Sequence, residues 1–465
     1  MKKFILISAA LLIVSSETFA GDYLTNTNQN AAFLRMVARG ASIDVDGAYS
    51  NPAGLSFLPE NGFYFSLTGQ SAFQERTINA TTLWDLKKPS TKEFEGKASA
   101  PFIPSFQAAF KKGDWTISTN FAVIGGGGKA SFDQGLPLFN SLITGMVAMH
   151  PFYKKIVSPS MYDINSAMDG KQYIFGLQLG LGYKVTDWLS VYAGGRMSYM
   201  SAGYEGFLNA QLKDDYRNPT TFPAIDKLPD DGSIARIGLN CDQKGWGISP
   251  VIGADFKFYK FNIGLKYEFK TNLNIENKTG DITIFGPDMI KDKMKDYEKG
   301  VNTPSDIPAM LSAAVGYEFL PSLRATVEYH FYDDKNAGMA KGREKALNHG
   351  THEFLCGAEW DVTSQLTISG GYQNTNYGLS DNFQTDTSFY CDSYSIGLGA
   401  RIKFNKAWSM DVGYFWTNYK DYTKTSEAYN GMMITTPEGK VIGIPGTDVY
   451  SRSNKTFGVS LNYKL

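Results

Sequence analysis

The sequence predicts an all-β protein, a transmembrane 14-stranded antiparallel β-barrel, with a short N-terminal segment left over to lie in its lumen. Two observations carry this. Apolar and polar residues alternate with a period of two along stretches of about ten residues, the length a membrane-barrel strand needs. The composition is rich in aromatics (14 %) and glycine (47 residues), mean hydropathy is only −0.25, and beyond residue 20 no stretch is long and apolar enough for a membrane helix.

The chain opens with Lys2 and Lys3, an apolar run from Phe4 to Val14, and then Thr18 and Ala20 at the small-residue positions before a cut. This reads as a secretory signal peptide over 1–20, its core being shorter than the about 20 residues a spanning helix requires. The formal net charge of −1 gives no nucleic-acid footprint. Cys241, Cys356 and Cys391 have no metal-ligand spacing, and a Cys241–Cys391 bridge is left open. No cofactor and no metal is expected.

Strand by strand, Phe261, Ile263, Leu265, Tyr267 and Phe269 form one face, and Asn262, Gly264, Lys266, Glu268 and Lys270 the other. The first set is expected to face lipid and the second a cavity. The same reading puts Ala325, Val327, Tyr329 and Phe331 outward, and Ile396, Leu398, Ala400 and Ile402 outward. Stretches pair across short connections at Lys111–Asp114, Lys184–Asp187, Phe319–Ser322, Val362–Ser364 and Asn405–Ala407. Fourteen strands follow, starting near 63, 102, 115, 171, 188, 246, 260, 307, 322, 352, 365, 390, 408 and 453. An even count puts both ends on the side of the short turns, with long loops opposite. Trp115, Trp188, Trp360 and Trp408 flank those turns, as an interfacial girdle requires. Phe457, Val459, Leu461, Tyr463 and Leu465 make an apolar closing face that ends in Leu where an aromatic is usual.

Residues 21–58 do not alternate. Asn30 to Arg39 reads as a short helix ended by Gly40. The segment finishes on Asn51-Pro52-Ala53-Gly54-Leu55, where Pro52 restricts itself and Asn51 while Gly54 permits a turn. The same five residues also read as an ordinary turn into the first strand. A tail of this length ending in this motif, followed by fourteen strands, resembles the outer-membrane long-chain fatty-acid transporter (FadL) family. The strand pair around Gly180-Leu181-Gly182-Tyr183-Lys184 and Trp188-Leu189-Ser190, and Ile307-Pro308-Ala309 leading to Gly316-Tyr317, are similar to it too. The resemblance implies that 21–58 is a hatch plugging a barrel of 59–465. It also implies passive transport of small hydrophobic molecules, long-chain fatty acids foremost, in the bacterial outer membrane.

Two further segments bear on that reading. Leu138, Phe139, Leu142, Ile143 and Met146 recur at helical spacing in the loop 129–170, with Phe152 and Tyr153 beyond. Such a stripe packs on other loops and offers a substrate a landing site. Gly125, Gly126, Gly127 and Gly128, placed at the outer end of strand three, favour a bulge or a flexible loop start. In the family a kink in that strand opens a lateral gate. Expected partners are a fatty acid or detergent-like ligand, outer-membrane lipid and the barrel-assembly machinery, with a monomer as the working unit. Lumen charges Arg196, Lys266, Arg324, Arg401 and Lys403 either receive a carboxylate or pair with Glu268, Glu328, Glu353 and Glu359. Rival readings are a general polar porin and a haem-binding receptor using His349 and His352. An enzyme is not expected: the four histidines, His150, His330, His349 and His352, accompany no Gly-x-Ser-x-Gly motif.

Overall fold

The computed structural model describes residues 7–9, 24–25, 29–82, 90–149, 153, 157–218, 231–286, 291, 294–435 and 438–465. Of the expected leader only Ile7–Ala9 is described, as a short strand against Met432–Ile434. His150 and Phe152 also lie outside the described residues.

Fourteen strands form the wall: β1 Gly62–Thr82, β2 Ser90–Lys112, β3 Trp115–Phe132, β4 Tyr162–Lys184, β5 Leu189–Leu212, β6 Ser233–Phe258 and β7 Phe261–Glu268. They continue as β8 Met310–Leu320, β9 Leu323–Tyr332, β10 Thr351–Asp361, β11 Leu366–Asn376, β12 Ser393–Lys403, β13 Trp408–Tyr419 and β14 Gly446–Lys464. Each pairs antiparallel with its sequence neighbour, and β14 pairs with β1 from Tyr64↔Lys464 to Ala80↔Asp448. The cylinder is closed, so no edge carries unpaired backbone groups into lipid. Leu465 finishes the seam, donating to the carbonyl of Phe63 and accepting from its amide. No helix among the described residues is long and apolar enough to cross a membrane.

Alternation sorts the side chains as expected. Val327 is 59 % exposed outward, while Lys266 and Glu268 are buried in the lumen. Phe261, Leu265 and Phe269 face out with Leu398 and Phe404.

Strand length departs from expectation. The strands expected near 102, 171, 246 and 453 begin at Ser90, Tyr162, Ser233 and Gly446. β1 to β6 run 18–26 residues, whereas β7 to β13 run 8–12. One side of the barrel therefore stands well above the other. The outward face explains why the extensions escape a hydrophobicity pattern. On β6 it changes from Ile248 and Trp246 to Lys244 and Asp242, and on β5 from Met197 and Tyr199 to Ser201 and Glu205. Above the bilayer the outward face turns polar while the inward face becomes apolar, as Tyr204, Leu208, Ala210 and Leu212 do on β5, so the alternation changes sign although the ladder continues.

The N-terminal segment folds inside the cylinder. α1 Ala31–Arg35 is shorter than the helix expected to reach Arg39; Met36 is already extended at φ −158°. The chain needs that extension to run Met36 to Gly40 across the inner wall. Then come α2 Gly47–Ser50 and a 3₁₀ turn, Gly54–Phe57. The predicted loop helix is present as α3 Pro137–Met149.

Candidate functional site: the hatch, the apolar lumen and an interrupted wall

The hatch is held by matched polar groups rather than by an apolar plug alone. Asn30 caps α1 by accepting from the Ala32 amide (2.8 Å) and donates to Ser66 Oγ (2.9 Å) and Gln107 Oε1 (2.8 Å) on β1 and β2. Arg35 Nε bonds Asp411 Oδ1 on β13 at 2.7 Å, and its Nη1 also pairs with Glu359 on β10. Arg39 grips Asp46 with two bonds of 2.7 and 2.9 Å and reaches Glu359 at 3.2 Å. The amide of Gly40 donates to Glu328 Oε2 at 2.8 Å. Buried arginines demand such complete pairing, because an unpaired charge there costs several kcal/mol.

The Asn51-Pro52-Ala53-Gly54-Leu55 segment is an anchor point. Asn51 Nδ2 donates to Asp255 on β6 (2.6 Å), and the Ala53 carbonyl accepts from Ser190 Oγ on β5 (2.7 Å). Gly54 lies so close to Asn51 that a Cβ there would sit 2.3 Å from Nδ2. Leu55 is buried with Val45, Ala48, Leu58, Tyr64 and Ala109.

What sequence reasoning missed is the seat. Lumen-facing glycines on several strands leave room for the hatch backbone: a Cβ on Gly413 would lie 2.6 Å from Leu34 Cβ, on Gly399 2.6 Å from Arg35 Cβ, and on Gly397 2.5 Å from the Leu34 carbonyl. Gly264 and Gly371 are similarly occupied by Gly40 and Val37. The signal was present as glycines at inward positions.

Beyond the hatch lies an apolar lumen. Leu24, Ile174, Met200, Leu273, Ile275, Ile307, Tyr332 and Tyr377 form one buried cluster that reaches the wall at Ala122 and Ile124 of β3. The N-terminal Leu24 is 1 % exposed in it.

At that point the wall is interrupted. β2 and β3 pair up to Ser99↔Lys129, and pairing resumes only at Ser105↔Ala122. Between Val123 and Gly128 five steps of β3 face three of β4, so two extra residues bulge out. Gly125–Gly128 thus sits within β3 and not at its outer end, because the ladder continues to Phe132. Gly126 (φ +100°) and Gly128 (φ +75°) take left-handed backbone that only glycine adopts without strain. The facing half of the interruption is Pro101 and Pro104 on β2, which have no N–H to donate. Ser71 Oγ caps the Pro101 carbonyl at 2.7 Å across a bulge in β1 and β2.

α3 closes over the outer end of the lumen. Ile143 and Met146 are buried against Ile78, Phe94, Phe132 and other residues of the tall wall, and Phe139 and Leu142 are partly buried on the same cluster. Leu138 is half-buried, its amide donating to Asp386 Oδ2 at 2.8 Å. Most of the lumen charges pair with each other: Arg196 with Glu268 (3.1 Å), Arg324 with Glu359 (2.7 Å) and Arg401 with Asp411 (2.8 Å). Lys266 instead donates to the Tyr49 carbonyl at 2.9 Å and covers the Tyr49 ring. Cys241 and Cys391 are free thiols in one apolar cluster, so no bridge forms between them. Among the described residues no three metal-ligating side chains come together. The rings of His349 and His352 lie 5.1 Å apart, tilted by 57°, and His352 Nδ1 is 2.7 Å from Tyr329 Oη.

No protein-family model and no curated protein sequence matches the chain. Solved structures do. A FadL homologue from Pseudomonas aeruginosa superposes with a TM-score of 0.65 at 17 % identity, over 96 % of this chain and 99 % of that one. The toluene transporter TodX of P. putida gives 0.54 at 13 % identity, over 90 % and 94 %. The toluene transporter TbuX of Ralstonia pickettii gives 0.52 at 14 % identity, over 90 % and 94 %. The fold is that of these barrels.

Proposed function

We propose that this 14-stranded outer-membrane barrel is a passive transporter of small hydrophobic molecules, long-chain fatty acids foremost, which leave sideways through the interruption between β2 and β3. The observation that carries the reading is the apolar cluster around Leu24, which runs through the lumen to Ala122 and Ile124 beside the broken ladder. Burying each CH₂ is favourable by about 0.8 kcal/mol, so a lipophile keeps to apolar sites and avoids water. A lumen filled by the hatch, with Ala31, Ala32, Leu34 and Ala38 fully buried, disfavours an open polar porin.

The partly buried Phe139 and Leu142 of α3 offer first contact; Ile143 and Met146 hold the helix in place. Cargo then displaces Leu24, whose carbonyl accepts from Tyr332 (3.4 Å), while the neighbouring Thr25 bonds Tyr377 (3.2 Å). The bolted part, from Arg35 to Leu55, stays seated. Fold neighbours described as toluene transporters support a hydrophobic cargo without selecting fatty acids among such cargoes.

The test removes Gly126 and Gly127, which restores the β3–β4 register. With the barrel's heat-modifiable gel mobility intact, uptake of a fluorescent long-chain fatty acid and of toluene into cells is expected to fall at least about ten-fold, the equivalent of 1.4 kcal/mol. Unchanged uptake of both would refute lateral release, and loss of one alone would identify the cargo.

A further inference from the structure

Beneath the hatch, on the side of the short turns, lies a second cavity of about 590 Å³. That volume is within the roughly 300–1,000 Å³ of small-molecule sites. Its roof includes the apolar underside of the hatch: Ile43, partly exposed, backed by the buried Val45 and Leu58. Its charges divide in two. The arginines that line it are all paired: Arg39 of the hatch with Asp46, and Arg324 and Arg401 of the wall with Asp361 and Asp411.

The rim is different. Lys257 and Lys260 at the β6–β7 turn, and Lys403 and Lys406 at the β12–β13 turn, line the cavity, are exposed, and among the described residues pair with no carboxylate, Lys260 donating to the Phe319 carbonyl (3.2 Å). The lining contains one carboxylate outside an ion pair, Glu318. Four unpaired cations against one anion, around a mouth with low-dielectric walls, create a field that concentrates anions. An apolar roof behind a cationic rim is complementary to a molecule with an acidic head and a hydrocarbon chain. An acidic protein would match the rim but leave the roof unused.

We propose that this cavity is a second binding site, open to the periplasm, for an anionic single-chain amphiphile. Its chain lies against Ile43 of the hatch, and its head is held by one of the two lysine pairs. The site is on the opposite side of the hatch from the transport path and does not depend on lateral release. It binds with the hatch seated.

The test uses the full chain in a non-ionic detergent with palmitate carrying a photoreactive diazirine in its chain, the corresponding fatty alcohol, and inorganic phosphate as competitor. Adducts are mapped by mass spectrometry on the hatch, which detergent-bound probe on the lipid face does not reach. Palmitate is expected to label the Ile43–Leu58 underside at least about five-fold more than the alcohol, roughly 1 kcal/mol. That labelling is lost in K257Q/K260Q/K403Q/K406Q, whose circular dichroism and heat-modifiable mobility remain those of the parent. Equal labelling by acid and alcohol, indifference to the four substitutions, or full competition by phosphate alone would overturn the site. So would an absence of adducts under the hatch, which would leave the lysines to an acidic protein. Failure of lateral release in the Gly126–Gly127 deletion leaves these outcomes unaffected.

Discussion

At the residue scale the sharpest constraint is the absence of side chains where hatch and wall meet. Gly413 and Gly399 face atoms of Leu34 and Arg35 at distances no Cβ tolerates, and those neighbours are backbone or the root of a side chain, which cannot swing away. Gly413→Leu is expected to leave the barrel's heat-modifiable mobility intact while destabilising the seated hatch by about 1–3 kcal/mol, the usual range for overpacking. Faster hydrogen exchange over 31–41 checks it; unchanged exchange would mean that the glycine seat is not needed. Glycines at inward positions were visible in the sequence, but what they accommodate was not, because the hatch residues are about 370 positions away along the chain.

At the element scale, period-two alternation located the strands while they crossed lipid and failed where they left it. Val327 lies mid-way along β9 and faces out. Val327→Arg should cost about 2–4 kcal/mol of folding free energy in a bilayer, the range for a cation at mid-plane. Refolding titrations into lipid vesicles would measure this, and a cost near zero would place β9 outside the membrane. The extension of β14 beyond the lipid-facing band behaves differently. Asp448, far along β14 from the exposed Phe457, is buried against Tyr429 Oη at 2.5 Å. Burial, and then the charge of Asp386, push its pKa up to about 7. A carboxyl raised in the folded state contributes stability below its ordinary value near 4 and loses it as pH rises to about 7. Asp386 also holds the α3 amide of Leu138 and Tyr450 Oη (3.1 Å). The thermal midpoint of the parent should therefore fall relative to Asp448→Asn between pH 4 and 7; parallel curves would contradict it.

At the scale of the whole molecule, a closed cylinder with one tall side carries a hatch whose buried ion pairs reach β10, β12 and β13. Deleting residues 21–58 removes Arg35 and Arg39 from Glu359, which keeps Arg324, and Arg35 from Asp411, which keeps Arg401, but the wall ladder, closed through β1 and β14, needs none of the lost pairs. The shortened chain is expected to insert and to conduct ions in planar bilayers at least about ten-fold better than the parent, since a barrel of this strand number is obstructed chiefly by what fills it. Equal conductance would show that the outer loops, not the hatch, close the lumen.

The sequence by itself determined the class of fold, the number of strands, which side chains face lipid, and the presence of a helix in the second long loop. All of these are periodicities or local turn chemistry, written in neighbouring residues. Tertiary structure alone decided the rest. Gly125–Gly128 read as a strand end until Pro101 and Pro104 on the adjacent strand were seen to break the same ladder. The apolar path around Leu24 is assembled from strands and loops more than 300 residues apart. The lumen charges, equally able in sequence to hold a ligand or one another, mostly settle on one another because desolvation inside the barrel makes an unpaired charge costlier than a paired one. Closing a cylinder brings distant strands into register, and no local pattern encodes which distant residue will stand opposite.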